Sequence, residues 1–424
     1  MKNKLMLLIA IIIFTSSPFA GASKILIPMD LTQSDHLKAY GVAYWCLEYE
    51  INVEWLLNYR DGSFLADNLP QIEEACRLKG VSYEVISGAD EARIKNTIEQ
   101  NNMEIVLLEK APKIAIYAPP SRKNEPWDDA VNLAVEYAEI PFDVIWDPDV
   151  LLGRLKDYDW IHLHHEDFTG QYGKFYAQYR NTIWYKQDKA LNETTAWELG
   201  FNKVSRMKLA VSNAIHDYVM NGGFLFAMCS ATDTYDICRT AYATDIVPSQ
   251  FDGDSVDPNY EAKLDFVQAY AFENFEIVTN PAIYEHSNID TSPTRGGRAL
   301  TAQADYFTLF DFSAKWDPVP TMLIQNHTSV VDGFWGQCTG YNKNLIKKNV
   351  TILAETDGKN EAKYIHGNIG KGTFTFLGGH DPEDYQHMIG DPPTELQLHK
   401  HSPGYRLILN NILFPAAKKK ERKT

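Results

Sequence analysis

The feature that most constrains the fold is an alternation of short apolar strands with amphipathic helices along much of the chain. Runs such as 25–29, 113–118 and 224–229 are typical of buried strands, and segments such as 36–50 and 209–220 keep the helical period. Strands that alternate with helices predict a parallel sheet covered by helices on both faces. We therefore expect an α/β protein with a mostly parallel, doubly wound sheet.

The alternation divides the chain into two units. Residues 23–110 predict a small N-terminal α/β unit, and residues 111–415 predict a larger α/β domain. An aromatic, turn-rich insertion near 168–207 and a Pro- and Gly-containing insertion near 252–345 interrupt the larger domain. We interpret the second insertion as long loops or an added β subdomain. Residues 416–424 are a basic tail, which we interpret as a solvated chain end.

The first 22 residues have the pattern of a secretory signal peptide. Lys2 and Lys4 precede the unbroken apolar run 5–14, and the small residues Ala20-Gly21-Ala22 follow it. Cleavage after Ala22 predicts an exported protein, periplasmic or secreted. The apolar run is too short to span a bilayer, which needs about 20 residues, and no later stretch is long enough, so we expect no membrane span.

The charge balance narrows the range of partners. The chain has 40 Lys+Arg and 56 Asp+Glu, a formal net charge of -16. An acidic protein repels phosphate backbones, so we expect no nucleic-acid partner but a small-molecule or glycan ligand. The sequence leaves the oligomeric state open. The 5 cysteines are an odd number for an exported chain, so at least one is free, whereas Cys46 and Cys76 could pair.

Cys229 is the strongest candidate for a nucleophile. It ends a buried strand and precedes residues of the N-cap type, beginning with Ser230. A thiol at a helix N-terminus has a lowered pKa, and the free N–H groups there stabilise an oxyanion. The alternative is a buried structural cysteine.

His380 is the candidate base, because it follows another buried strand after two glycines. In a parallel sheet both residues reach the same edge, where the imidazole can accept the thiol proton and a carboxylate can orient the imidazole. Glu383 and Asp384 are the nearest acids for that third role. The alternative is a loop histidine held by the acids beside it.

Residues 113–415 resemble the class I glutamine amidotransferase-like superfamily, a flavodoxin-like fold that also includes the ThuA-like sugar-utilisation proteins. The resemblance depends on the opening strand and helix, the strand-Cys-helix segment 224–233 and the Gly-Gly-His sequence 378–380. For amidotransferases it implies a cysteine nucleophile and a histidine base, here Cys229 and His380. For ThuA-like proteins it implies sugar binding without the cysteine.

The segment His36-Leu37-Lys38-Ala39-Tyr40-Gly41 is similar to the opening of exported bacterial proteins labelled asparagine synthetase B-like. Such an activity needs an N-terminal cysteine after processing and a Ser-Gly-Gly-x-Asp-Ser loop for ATP. The sequence contains neither feature. Asparagine synthesis is therefore not supported by the motifs.

A histidine-rich segment, 162–167, gives a metal-binding alternative. On a strand His162 and His164 point to one face and could share a zinc ion, with a further ligand from His387, His399 or His401. No spacing fixes that further ligand, so we assign no metal ligand. The other interpretation is that the strand end lines the cleft, which makes the substrate-binding candidates His164, His165, Glu166 and Ser230.

Aromatic residues concentrate in the first insertion, including Trp184 and Trp197. Exposed aromatic faces stack on sugar rings, which makes both residues candidates for ligand binding. The alternative is a small core within the insertion.

The sequence thus predicts an exported cysteine-dependent hydrolase or amidase without a cofactor. One alternative is a non-catalytic ThuA-like protein that binds a carbohydrate or a cell-envelope partner. A second alternative is a metal-dependent hydrolase that uses His162 and His164.

Overall fold

The computed structural model describes residues 23–120, 129–291, 301–386 and 391–417. The predicted signal peptide, His387 and the tail from residue 418 onward lie outside the described residues. Within those residues no helix combines the length and the hydropathy that a membrane crossing requires.

The N-terminal part forms a 5-stranded sheet in the order β4-β1-β3-β2-β5. All of its strand pairs are antiparallel. Its strands are β1 (Lys24–Ile27), β2 (Val53–Leu57), β3 (Ser63–Asp67), β4 (Glu84–Ile86) and β5 (Glu104–Leu108). Its helices are α1 (His36–Glu48), α2 (Pro70–Lys79) and α3 (Gly88–Gln100). Helix α2 ends where Gly80 adopts φ 70°, a left-handed conformation that favours glycine.

The second sheet has 10 strands, in the order β11-β10-β13-β14-β15-β9-β8-β6-β7, with β12 paired to β14. Its first strands are β6 (Ile114–Tyr117), β7 (Asp143–Ile145), β8 (Trp160–Leu163) and β9 (Phe224–Met228). Its later strands are β10 (Phe307–Leu309), β11 (Val330–Val331), β12 (Tyr341–Asn342), β13 (Thr351–Glu355), β14 (Glu361–Ile369) and β15 (Gly372–Leu377).

This second sheet is mixed, which corrects the expectation of a mostly parallel sheet. Its half β7-β6-β8-β9-β15 is parallel. The other half is antiparallel, because the hairpin of β14 and β15 and the short strands of the second insertion extend the sheet. The protein is therefore a mixed α/β protein with partly parallel strands.

The helices after α3 fall into two groups. Those that precede β10 are α4 (Ala130–Ala138), α5 (Asp147–Leu151), α6 (Tyr176–Tyr179), α7 (Ile183–Glu198), α8 (Val204–Met220), α9 (Ser230–Thr240) and α10 (Ser249–Asp252). Two later helices are Pro318–Leu323 and the C-terminal helix Pro403–Leu413. The first insertion thus contains the long helix α7, where the sequence predicts mainly turns.

The parallel strands are apolar on both faces and carry two different cores. On β8 Trp160 belongs to the core that includes α1, α4 and the C-terminal helix, and Ile161 belongs to the core that includes α8 and α9. The same alternation on β9 separates Phe226 from Leu225. Successive side chains of a strand point to opposite faces, so helices cover this part of the sheet on both sides.

Helix α1 packs closely against α4 and joins the two sheets through one core. A Cβ atom at Gly41 would lie 1.9 Å from the carbonyl oxygen of Ala138, so only glycine fits this contact. Asp35 caps α1 and accepts a hydrogen bond of 2.7 Å from the Tyr137 hydroxyl of α4. The N-terminal unit is therefore packed into the larger domain.

We predict that Gly41→Ala lowers the free energy of unfolding by at least about 2 kcal/mol, because the added methyl group forces α1 away from α4. Urea unfolding followed by circular dichroism measures the change. The matched control is Gly88→Ala, where a Cβ meets nothing within 4 Å, and the expected change is within about 0.5 kcal/mol. Equal stability of the two variants would contradict the close packing.

Candidate functional site

Cys229 lies in the sharp turn that connects β9 to α9. Its φ is 51° and its ψ is -139°. A positive φ costs a non-glycine residue about 1–3 kcal/mol, and such strain concentrates at functional sites. The N–H of Cys229 donates a 3.1 Å hydrogen bond to the carbonyl of Gly379, which fixes the turn against the chain that follows β15. The strained turn at the end of a buried strand makes Cys229 a candidate nucleophile.

Backbone N–H groups surround the sulfur of Cys229. The N–H of Gln337 donates to Sγ over 3.2 Å, and those of Ser230 and Cys338 also lower the pKa of the thiol. Burial has the larger effect and raises that pKa to about 11. The resting thiol is therefore protonated at neutral pH, whereas the position at a helix N-terminus predicts a lowered pKa.

The segment that contains Gln337 covers the sulfur. The Gln337 side chain donates to the carbonyl of Gly173 over 2.6 Å and to the carbonyl of Tyr284 over 3.2 Å. Only 3% of the surface of Cys229 is exposed. This segment therefore separates Sγ from solvent.

The other cysteines are buried free thiols. Cys46 and Cys76, which the sequence allows to pair, lie on α1 and α2 and both belong to the same apolar core. Burial raises the pKa of each to about 12. Both are therefore core residues in this structure.

His380 lies at the same edge of the sheet as Cys229. It follows β15, and its N–H donates a 2.6 Å hydrogen bond to the carbonyl of Trp335. The chain turns before it at Gly379, where φ is 98° and a Cβ would lie 2.4 Å from the Phe334 ring. Asp381 fixes the loop after it by accepting hydrogen bonds from Tyr405, Thr394 and the N–H of Glu383.

Asp129, His162 and His164 form a buried polar chain beside this edge. His162 Nε2 lies 3.2 Å from His164 Nδ1 and 3.4 Å from the Asp129 carboxylate. The Asp129 carboxylate also lies 3.3 Å from His164 Nδ1. Burial favours a raised pKa for Asp129, but the two imidazoles outweigh it and hold the pKa well below its usual range. Asp129 is therefore a buried carboxylate.

The second nitrogen of each ring has a different environment. His162 Nδ1 lies 3.2 Å from the carbonyl oxygen of Phe226, an acceptor, so this nitrogen carries a proton. His164 Nε2 is buried and has no hydrogen-bond partner among the described residues. Burial lowers the pKa of His164 to about 4, although Asp129 opposes the change. His164 is thus neutral at neutral pH.

His164 connects the polar chain to two further histidines. Its ring centroid lies 4.3 Å from that of His380 and 5.3 Å from that of His165. One ring nitrogen from each of the three residues lies within 4.8 Å of the other two. We refer to His164, His165 and His380 as the three-histidine cluster.

Two histidines that the sequence analysis considered as metal ligands are engaged elsewhere. His399 Nδ1 lies 2.8 Å from the Glu383 carboxylate, and His401 Nδ1 lies 2.9 Å from His36 Nδ1. Glu383, expected to orient His380, therefore holds His399. The N–H of Asp384 donates to the carbonyl of Asp381 within the loop. The residue that could complete a metal site with His162 and His164 is Asp129.

Glu166 and Ser230 lie close to the same strand ends. The Glu166 carboxylate accepts a 3.0 Å hydrogen bond from the N–H of His164, and burial raises its pKa. Ser230 is the first residue of α9 and is fully buried. His165 and Glu166 also line an open pocket with about 550 Å³ of empty volume, whose wall includes Pro119, Trp146 and Lys208.

The two tryptophans of the first insertion have different surroundings. Trp184 packs against Phe175, Tyr179 and Tyr185, with ring centroids 5.6, 5.2 and 6.0 Å away. These residues belong to a small apolar cluster of the insertion. Trp197 is 77% exposed on α7. The small-core interpretation therefore describes Trp184, and Trp197 faces solvent.

Sequence reasoning missed two residues of this site. Asp129 lies between β6 and α4 and therefore at the same sheet edge as the histidines. Its position after a parallel strand was the signal that could have identified it. Gln337 lies within the second insertion, and its contact with Cys229 has no sequence signal.

Comparisons with known proteins do not assign the chain to a family. No protein-family model matches it, and no curated protein sequence is detectably similar. Two solved structures align with 72% of this chain and 100% of their own length, each with a TM-score of 0.34. They are the cytoplasmic proteins STM3548 of Salmonella typhimurium, with 10% identity, and STM1381 of Salmonella typhimurium LT2, with 14% identity. Such scores do not establish a shared fold.

We predict that alkylation of Cys229 by iodoacetamide keeps accelerating up to about pH 11, because burial raises the pKa of the thiol to about 11. The rate for a free thiol is half-maximal near pH 8.5, the unperturbed pKa, and levels off about one unit above it. Mass spectrometry of the labelled peptides measures each cysteine separately. A half-maximal rate near pH 8.5 or below would contradict the described environment of Sγ.

We also predict that Gln337→Ala speeds this alkylation at every pH, because the variant releases the covering segment from Gly173 and Tyr284. The matched control is Gln268→Ala, a glutamine outside the site whose side chain bonds Asp265. An unchanged rate in Gln337→Ala would show that the side chain does not control access.

Proposed function

We propose that this protein is a cysteine-dependent hydrolase that acts on an amide or a related acyl group. The observation that carries the proposal is the strained turn at Cys229, with φ 51° and Sγ facing backbone N–H groups. Nucleophiles at the end of a buried strand use such a turn to present the reactive atom beside oxyanion donors. A structural cysteine needs no such strain.

The reaction follows from the residues at the sheet edge. Cys229 Sγ attacks the carbonyl carbon and forms a C–S bond, and the thiol proton passes to His380. Backbone N–H groups, including that of Ser230, hold the oxyanion. The imidazolium returns the proton to the leaving amine as the C–N bond breaks, and water then hydrolyses the thioester. Because the resting thiol is protonated, the base must act during the attack.

The class I glutamine amidotransferase-like fold is part of this proposal. The parallel half of the second sheet has the order β7-β6-β8-β9-β15. If these five strands are numbered 1 to 5 in the order in which they occur along the chain, their order in the sheet is 2-1-3-4-5, which is the flavodoxin-like order. Helices pack on both faces of this half. The nucleophile and the base then follow the fourth and fifth strands. This order supports the proposed fold and the pairing of Cys229 with His380.

We predict that Cys229→Ala and His380→Ala each lower turnover by at least about 10³-fold, because both residues act in one proton-transfer step. Release of ammonia from a panel of primary amides measures turnover. The matched control is Cys238→Ala, a buried cysteine on the same helix α9, and it is expected to retain turnover. Full activity of Cys229→Ala on a substrate of the wild-type protein would end the proposal.

We further propose that the protein acts after export, on the basis of its N-terminal sequence. Cleavage after Ala22 predicts Ser23 as the first residue of the mature protein. N-terminal sequencing of the protein from a fractionated bacterial host tests this prediction. An intact N-terminus in the cytoplasmic fraction alone would contradict export.

A further inference from the structure

We propose that His164, His165 and His380 bind a divalent transition-metal ion, with Zn²⁺ as the ion of choice. One ring nitrogen from each histidine of this three-histidine cluster lies within 4.8 Å of the other two. Zinc takes three imidazoles in open sites, with Zn–N bonds of about 2.0–2.1 Å, so its ligand nitrogens lie about 3.3 Å apart. Binding of the ion requires the rings to turn until the three ligand nitrogens reach that separation.

The environment of His164 gives the strongest support for this metal site. Its side chain is fully buried, and its Nε2 has no hydrogen-bond partner among the described residues. A buried polar atom without a partner destabilises the folded state, and a metal bond would remove that cost. The opposite nitrogen, Nδ1, faces the carboxylate of Asp129 over 3.3 Å. Carboxylates placed in this way hold a metal-binding imidazole in the required tautomer and orientation.

The surroundings favour this cluster over the neighbouring set of Asp129, His162 and His164. In that set all three side chains are buried, and one oxygen of Asp129 already accepts two backbone N–H groups of α4. His165 is only partly buried and lines the open pocket. An ion held by the three-histidine cluster therefore has access to solvent and to small ligands, as a site with an open coordination position needs.

The proposed chemistry is that of a bound Lewis acid beside a pocket. A Zn²⁺ ion held by three neutral imidazoles lowers the pKa of a bound water or polarises a carbonyl oxygen. The ligand class that fits is a small molecule with an oxygen donor, such as a carboxylate or a hydroxamate. Binding of the ion does not depend on the proposed cysteine chemistry.

One consequence does rest on the proposed function. Coordination takes a ring nitrogen of His380, so an imidazole bound to the ion cannot accept the proton of Cys229. Zn²⁺ is then an inhibitor of the amide hydrolysis, and a chelator restores it. Because metal binding is measured without turnover, failure of one proposal leaves the other standing.

The test is Zn²⁺ titration of the tag-free protein by calorimetry, with Co²⁺ absorption as a second readout. We expect one Zn²⁺ per chain, with a Kd in the micromolar range or tighter, and visible Co²⁺ bands of a four- or five-coordinate site. His165→Gln is the primary variant because His165 is partly exposed and the change should not disturb folding. It is expected to weaken binding by at least about 100-fold. The matched control, His399→Gln, should bind as the wild-type protein does.

Two further variants separate the possible ligand sets. Asp129→Asn keeps a residue that can cap α4 and should weaken binding by about 10–100-fold, as loss of an orienting carboxylate does. Cys229→Ala should bind with unchanged affinity, and loss of binding there would make the thiol a ligand and overturn the assignment.

Two other outcomes would also overturn the assignment of the ion to the three-histidine cluster. One is the absence of saturable binding to the wild-type protein. The other is wild-type affinity in His165→Gln together with complete loss in Asp129→Asn, which would move the ion to Asp129, His162 and His164.

Discussion

Parallel pairing of β8, β9 and β15 is the constraint on which the candidate site depends. Leu163 pairs with Ala227, and Met228 pairs with Leu377, so the three strands end at the same level. The chain leaves each strand at one edge and there presents a histidine, the cysteine and a second histidine. No single segment brings these groups together, since more than 200 residues separate His164 from His380 in a chain of 424. The pairing register alone makes them neighbours.

Burial decides the protonation states at this edge. It raises the pKa of the Cys229 thiol and lowers that of the His164 imidazole, so both groups rest in their neutral forms. Asp129 is the exception, because two imidazoles and two backbone N–H groups compensate its charge. Removing one partner from such a buried carboxylate is costly, since the remaining charge loses its compensation. This edge thus holds a neutral thiol and a neutral imidazole beside one fixed negative charge.

Sequence reasoning recovered the regular part of the fold and missed the parts that depend on tertiary contacts. The strands β6 and β9 lie within about one residue of their predicted limits, because a buried strand is a compact apolar run. Helix α7 was missed, since its aromatic and polar residues obscure the helical period. The short strands β10, β11 and β12 lie in the second insertion, for which an added β subdomain was one of two interpretations. Their pairing with the main sheet was not predicted, because a strand of two or three residues exists only through its neighbours.

The candidate site also has features that the sequence reveals and features that depend on tertiary contacts. The sequence offers Cys229 and His380 as candidates because Cys229 ends an apolar run and His380 follows another after two glycines. Position after a strand is visible in the sequence. The electrostatics of the two residues are not visible there, because desolvation depends on what the second insertion places over the sulfur. The expected role of Glu383 was based on its closeness in sequence to His380. In the structure the Glu383 carboxylate instead contacts His399, which lies later in the chain.

The cap of α4 has a consequence for cooperativity. Asp129 holds the first turn of α4 through the N–H groups of Val131 and Asn132, and α4 packs against α1 across Gly41. The residue that supports the histidines is thus also the residue that starts the helix on which the N-terminal unit rests. Loosening of that unit would be transmitted along α4 to the imidazoles. The packing of the N-terminal unit and the placement of the histidines thus depend on the same helix, α4.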